Sequence, residues 1–193
     1  LLQELFADLH GGAKMRAASL KGLIIHTARE AGPANGPDYI FGWGLLNQFD
    51  AANTVIRSAF DPAAIQEYTL VQNQRIQIPF YVGALGTAKA TICWTDPAGT
   101  PGPAQVDRRV PMLVNDLDLR IIRRRDGQTF MPWVLDPDQP TLAARAGDNS
   151  VDNVEQVVVY NAEPGDYIAE ISNPGTLLPA NTQAVSALIT APG

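Results

Sequence analysis

The sequence predicts a mostly β chain, a jelly-roll-like antiparallel β-sandwich preceded by about three α-helices. Apolar residues recur at helical spacing as far as Ser58, whereas from Gln66 onward they alternate with polar residues. About seven or eight alternating runs are separated by turn signals, which is typical of an antiparallel sandwich. We therefore predict a helical segment at 1–60 and a sandwich domain at 66–193.

Three helices are predicted in the first segment. An apolar stripe over 1–9 predicts the first helix, and His10-Gly11 is expected to end it. A second apolar stripe predicts a helix over 19–30. Asn47 is expected to cap the third helix, over 48–57, because its side chain can accept a hydrogen bond from a free backbone N–H. His10 and His26 are expected to have structural roles.

Residues 36–47 separate the second and third helices and are rich in glycine and aromatic residues. The run Gly42-Trp43-Gly44 indicates that the backbone passes close to another part of the chain. We expect the Trp43 indole to be buried there.

The second segment contains the alternating runs. Pro79 cannot donate to a neighbouring strand, which predicts that its strand lies at a sheet edge, and Asp126-Gly127 predicts a tight hairpin turn. The predicted strands cover 75–82, 89–94, 117–122, 129–133, 154–160, 167–172 and 184–190.

Composition limits the classes of function. The net charge is −6 and the pI is about 4.8, which argues against nucleic acid as a partner. The arginines at 120 and 123–125 lie among aspartates and are expected to form a solvated face. Cys93 is the single cysteine and is expected in the core, and no apolar run approaches the ~20 residues of a membrane span. Because the chain opens on Leu1 rather than Met, we expect a fragment of a longer precursor.

Three motifs occur in the order of a known enzyme family. They are Leu20–Ala28 with its Thr-Ala ending, Gly36-Pro37-Asp38-Tyr39, and Phe41–Asn47 with its Gly-Trp-Gly core. This order resembles the end of the catalytic domain of a subtilisin-like serine protease (subtilase). The helices at 1–60 would then belong to the end of a subtilisin-type α/β domain.

The remainder resembles the β-sandwich that follows the catalytic domain in one branch of the same family. The matching residues are at 95–97, 113–119, 152–157 and 164–167. The resemblance implies that the parent is a serine endopeptidase, exported from the cell, that hydrolyses peptide or protein substrates.

No catalytic residue can be assigned within this chain. A subtilase uses Asp, His and Ser from separate segments, with the serine in a Gly-Thr-Ser motif. Here the Gly-Thr pairs at 86–87, 99–100 and 175–176 are followed by Ala, Pro and Leu. We therefore predict that the chain alone is inactive and supports the remainder of its own catalytic domain.

Two acidic stretches suggest a metal site. Asp116 and Asp118 lie two residues apart on one side of a predicted strand, and Asp152 and Glu155 lie where a loop enters another. Calcium takes 6–8 oxygen ligands, which such loops supply, and some subtilases with this sandwich bind calcium. The four side chains are candidate calcium ligands. They could equally cap turns or face water.

Two other functions remain open. The sandwich could be a binding module for a protein or carbohydrate, or the chain could be part of a non-catalytic pseudo-protease. A glycoside hydrolase is disfavoured, because Trp94 and Trp133 lie in predicted strands. An incomplete catalytic fragment should expose an apolar patch, for which the candidates are Leu1, Leu5, Phe6, Leu23 and Ile24.

Overall fold

Three α-helices come first in the chain and the strands follow, in a computed structural model that describes residues 1–106 and 110–193. The helices are α1 (Leu2–Leu9), α2 (Ala17–Thr27) and α3 (Gln48–Ser58). The strands are β1 (Ile65–Val71), β2 (Ile76–Val82), β3 (Gly86–Trp94), β4 (Asp118–Arg123), β5 (Thr129–Phe130), β6 (Trp133–Val134), β7 (Arg145–Ala146), β8 (Val154–Ala162), β9 (Gly165–Ser172) and β10 (Thr182–Thr190).

Two four-stranded antiparallel sheets form the sandwich. One has the order β1-β10-β3-β8 and the other β2-β9-β4-β5, and β6 pairs with β7 separately. Side chains from both sheets share one core, including Ile92 and Trp94 of β3, Leu119 of β4 and Ile171 of β9. The predicted class, a mostly β antiparallel sandwich preceded by three helices, is confirmed.

The first sheet is covered on its outer face by α2. Ala18 of α2 packs with Cys93 and Val154, and Leu23 packs with Leu188 of β10. A Cβ atom on Gly22 would lie 2.8 Å from the Leu188 Cδ1 atom, so this glycine permits close packing. Because both faces of this sheet are covered, its strands are buried more continuously than an alternating pattern predicts.

Helix α3 begins as the sequence predicts. The Asn47 side chain accepts a hydrogen bond from the Asp50 backbone N–H at 3.1 Å. Ala51 and Val55, on the inner side of α3, join the core cluster that α2 forms with β10. The helices therefore pack on the sandwich, while the predicted division between 1–60 and 66–193 stays a prediction.

The stretch 36–47 departs from expectation in two places. Helix α2 ends at Thr27 rather than at residue 30, because Arg29 forms an antiparallel bridge with Leu45. The predicted close approach is found at Gly44, where a Cβ atom would lie 2.3 Å from the Arg29 carbonyl oxygen. Trp43, however, is half-buried and not buried, because it packs at the margin of the cluster between α2 and the first sheet.

The strand predictions hold for β2 to β5 and for β8 to β10, within a few residues at their ends. Pro79 lies on β2, an edge strand of its sheet, and Ile121 pairs with Phe130 across the predicted hairpin. Strand β1, which pairs with β10 along the other sheet's edge, has no clear alternation and was not expected as a separate strand.

Candidate functional site

The acidic residues converge at one end of the sandwich. Asp116 precedes β4, Asp118 begins it, and Glu155 is the second residue of β8. Arg120 lies among them: its guanidinium is 3.0 Å from the Asp118 Oδ1 atom and 3.8 Å from the Glu155 Oε2 atom. It also contacts Asp148, which is not one of the four candidate ligands. One guanidinium thus faces several carboxyl groups.

Glu155 is fully buried, which is rare for an acidic side chain. Its neighbour in the register, Ile92, belongs to the sandwich core, so Glu155 projects between the sheets. The Oε2 atom accepts a hydrogen bond from the Leu119 N–H at 2.6 Å, whereas the Oε1 atom has no partner among the described residues. Burial raises the pKa of this carboxyl from 4.5 to about 9.

The two aspartates are perturbed in the same direction. Burial raises the pKa of Asp118 to about 6, against the lowering effect of Arg120, and the nearby Asp148 raises it further. Burial also raises the pKa of Asp116, whose Oδ1 atom is buried without a partner among the described residues. The cluster therefore holds more carboxyl groups than Arg120 alone neutralises.

Asp152 lies in a different setting. It is exposed, and its carboxylate accepts a hydrogen bond from the Asn149 side chain at 3.1 Å. Across residues 1–106 and 110–193, no three His, Cys, Asp or Glu side chains are grouped so that they could hold a metal ion. Asp116, Asp118 and Glu155 lie in one neighbourhood with Arg120 without forming such a group, and calcium binding stays a prediction.

Arg120 corrects one expectation about the arginines. Its side chain is only 18% exposed, so it belongs to the acidic cluster and not to a solvated face. Arg120 alternates with the buried Leu119 and Ile121 in β4, which predicts that it lies on the other side of the strand. The pattern does not predict which groups cover that side. Arg125 does lie on the surface, where it pairs with Asp126 and Glu163.

Both histidines have structural surroundings, as predicted. His26 is buried, with its ring nitrogens 2.8 Å from the Thr91 Oγ1 atom and 3.1 Å from the Thr190 Oγ1 atom. His10 stacks on Phe6 and lies 3.3 Å from the Ser58 Oγ atom. That serine is held by a 2.7 Å bond to the Val55 carbonyl in its own helix, so the pair does not form an activated nucleophile.

The helices leave an apolar face open. Leu1, Ile24 and Leu46 are 85%, 38% and 64% exposed, and they surround a cavity of about 370 Å³ with an almost entirely nonpolar lining. Two expected members are better packed, because Leu5 and Phe6 rest against the core. Leu23 was wrongly placed in this patch, because it lies on the buried side of α2.

Comparison with known proteins adds little to this description. No family profile matches the chain, and no curated protein matches it. A pre-peptidase C-terminal domain of a collagenase from Bacillus anthracis superposes with a TM-score of 0.36 and 9% identity, over 65% of this chain and 87% of that one. A protein from Sulfurospirillum deleyianum gives 0.33 and 7%, over 65% and 97%. Neither likeness identifies a family or a function for this chain. None of the helices described is long and apolar enough to cross a membrane.

Proposed function

We propose that this chain is the C-terminal portion of a subtilisin-like serine endopeptidase. In this proposal α1, α2 and α3 complete the catalytic domain, the sandwich supports it, and the triad lies upstream. The parent would be exported and would hydrolyse peptide bonds in proteins or peptides. The chain itself contributes support and no reacting group.

The open apolar face is the observation that carries this proposal. Leu1, Ile24 and Leu46 are exposed around one nonpolar cavity on the helical side of the molecule. Apolar surface of this kind marks a docking site. It lies in the segment whose motifs resemble the tail of a subtilase catalytic domain, where the remaining catalytic layer would pack.

The test begins with the gene. We expect a Gly-Thr-Ser motif encoded shortly upstream of Leu1, with His and Asp motifs farther upstream. The complete gene product should react covalently with a fluorophosphonate probe, which labels activated serines. The variant in which that serine is replaced by Ala, and the 193-residue chain alone, should not react. A start codon next to Leu1, a substituted serine, or an unreactive complete product would refute the proposal.

Calcium binding at the acidic cluster is a separate proposal. The unpartnered buried oxygens of Glu155 and Asp116 support it, because carboxylate oxygens are the ligands that calcium prefers. Asp118 would be a third ligand, and Asp152 would require the loop before β8 to move closer. The close contacts of Arg120 oppose it, since a bound cation would have to share these carboxylates.

The calcium proposal predicts a stabilising effect. A ligand that binds only the folded state raises the free energy of unfolding, by about 2.7 kcal/mol at a concentration of a hundred times its Kd. The melting temperature rises with it. We expect millimolar calcium to raise the melting temperature relative to EDTA, with magnesium as the control, and we expect Asp116→Asn to abolish the rise. Equal melting temperatures in calcium and EDTA would contradict it.

A carbohydrate-binding module is the alternative that one observation favours. A cavity of about 110 Å³ is lined by Trp43, Trp133 and Tyr160, together with Glu30 and Gln156. Aromatic faces with a few polar groups are common in sites for small molecules. Binding of an oligosaccharide that quenches tryptophan fluorescence, and is lost in Trp43→Ala, would favour this alternative.

A further inference from the structure

A second cleft lies between the helices and the sandwich, away from the acidic cluster. It has a volume of about 380 Å³, within the range of small-molecule sites. The end of α2 and one side of α3 form one wall, and Lys89 of β3 and Thr190 of β10 form the other. It therefore sits at the junction of two structural segments, where ligand sites are common.

The side of α3 that faces this cleft is polar along its whole length. Asn47, Asp50, Thr54 and Arg57 follow each other at intervals of three or four residues, so they share one helix face. The adjoining face carries the buried Ala51 and Val55. Packing of the core thus does not account for the polar stripe, which lines a cavity.

Positive charge exceeds negative charge among the residues that line the cleft. Arg29, Arg57 and Lys89 are the cations and Asp50 is the carboxylate. The Asp50 side chain is already held by Asn47, whose Nδ2 atom donates to it at 2.5 Å. His26 adds no charge, because burial lowers its pKa well below 6.5. Two further carboxylates lie nearby: Glu30 raises the pKa of Lys89 against the lowering effect of burial, and Asp61 is 3.8 Å from the Arg57 Nε atom.

Two of the cations have donors that protein groups do not fully use. The Lys89 ammonium donates to the His26 carbonyl at 3.0 Å, one of the three bonds that it can make. The Arg57 Nη2 atom donates to the Ile189 carbonyl at 2.5 Å, while its Nε atom is buried without a hydrogen-bond partner in the part of the chain described. The nearest carboxylate, Asp61, is 3.8 Å from that Nε atom.

We propose that this cleft binds a small anion through a carboxylate or phosphate group. Lys89 and Arg57 would provide the charge-assisted hydrogen bonds, which are about twice as strong as neutral ones. Arg29 at the exposed mouth would attract the anion, and the Thr190 hydroxyl would offer a further donor. The site depends on no catalytic residue, so it stands whether or not the parent is a protease.

Isothermal titration calorimetry tests this proposal with two probes, succinate and inorganic phosphate, at an ionic strength held constant with sodium chloride. We expect saturable binding of at least one probe, and the better of the two identifies the anionic group. Lys89→Gln keeps a donor for the His26 carbonyl but removes the charge, and should weaken binding by about tenfold. Lys14→Gln, at an exposed lysine, is the matched control and should leave the Kd unchanged.

Arg29→Gln keeps the test decisive if Lys89→Gln fails to fold. Arg29 is exposed, so its substitution should preserve the fold while weakening binding several-fold. The proposal is overturned if neither anion binds beyond the effect of sodium chloride. It is also overturned if both cleft variants bind as tightly as the Lys14→Gln control.

Discussion

Glu155 shows how a single buried carboxyl couples stability to pH. Its surroundings offer the Leu119 N–H and the Arg120 guanidinium at 3.8 Å, which together compensate only part of the cost of burying a charge. Because the pKa is raised from 4.5 to about 9, the folded chain keeps this proton where the unfolded chain has lost it. The stability that the protonated Glu155 carboxyl contributes is therefore complete below pH 4.5, and it is lost as the pH rises toward about 9.

Glu155→Gln should flatten this pH dependence. Glutamine cannot ionise, and its side-chain oxygen can still accept the Leu119 hydrogen bond. We expect the melting temperature of the wild type to decline between about pH 5 and pH 8, and that of the variant to decline much less. Glu163→Gln, at an exposed carboxylate, should follow the wild type. Parallel curves for Glu155→Gln and the wild type would refute the assigned shift.

Trp94, in β3, and Trp43, beside the first sheet, should differ in their contribution to stability. Trp94 is 1% exposed and donates to the Asn115 carbonyl at 3.0 Å, whereas Trp43 is half-buried. Trp94→Ala should therefore cost about 3–5 kcal/mol, as for other buried aromatic residues. Trp43→Ala should cost about 1–2 kcal/mol, because part of its ring is already in water. Urea denaturation of both variants measures the difference, and equal losses would show that the indoles are packed alike.

At the level of elements, the sequence predicted what local periodicity determines. Strands β2, β4 and β9 alternate because one face meets the core, and their apolar residues at 76, 78, 119, 121, 169 and 171 are all buried. What periodicity could not show was the covering of the first sheet by α2, which buries consecutive residues of β3 and β10. It also could not show that Glu155, a predicted ligand where a loop enters β8, lies on the inner face of that strand and projects into the sandwich.

The end of α2 illustrates the same limit. Its helical pattern continues to residue 30, but Arg29 instead pairs with Leu45 and the Lys89 ammonium binds the His26 carbonyl. These partners lie about 16 to 63 residues away in sequence, so no local rule predicts them. The cleft between the helices and the sandwich lies at this same junction, and only the polar spacing in α3 could have predicted it.

The cap of α3 gives a prediction at this scale. Asn47→Ala removes the oxygen that accepts the Asp50 N–H bond and should lower the free energy of unfolding by about 1 kcal/mol. Asn47→Ser, which can accept the same bond without placing a second carboxylate beside Asp50, should lose much less. Asn53→Ala, in the middle of the helix, is the control. A loss in Asn47→Ser as large as in Asn47→Ala would contradict the capping role.

For the molecule as a whole, the acidic cluster and the apolar helical face differ in how they meet water. The acidic cluster holds partly or fully buried carboxyl groups at one end of the sandwich, whereas the helices on the outer face of the first sheet present apolar side chains to water. A protein that functions as a free module has little reason to keep such a face open. This asymmetry is why we infer support of a larger enzyme and regard binding by the isolated sandwich as secondary.

The apolar face gives the prediction that separates these two roles. Leu46→Asp places a charge beside the nonpolar cavity and should reduce binding of the dye ANS and self-association of the 193-residue chain. Because Leu46 is 64% exposed, the free energy of unfolding should change by no more than about 0.5 kcal/mol. Leu142→Asp, at a leucine 53% exposed in a loop of the sandwich segment, controls for added charge.

In the complete gene product, Leu46→Asp should lower protease activity by loosening the contact between this apolar face and the rest of the catalytic domain, while Leu142→Asp should not. Full activity in both variants would mean that the face serves another partner.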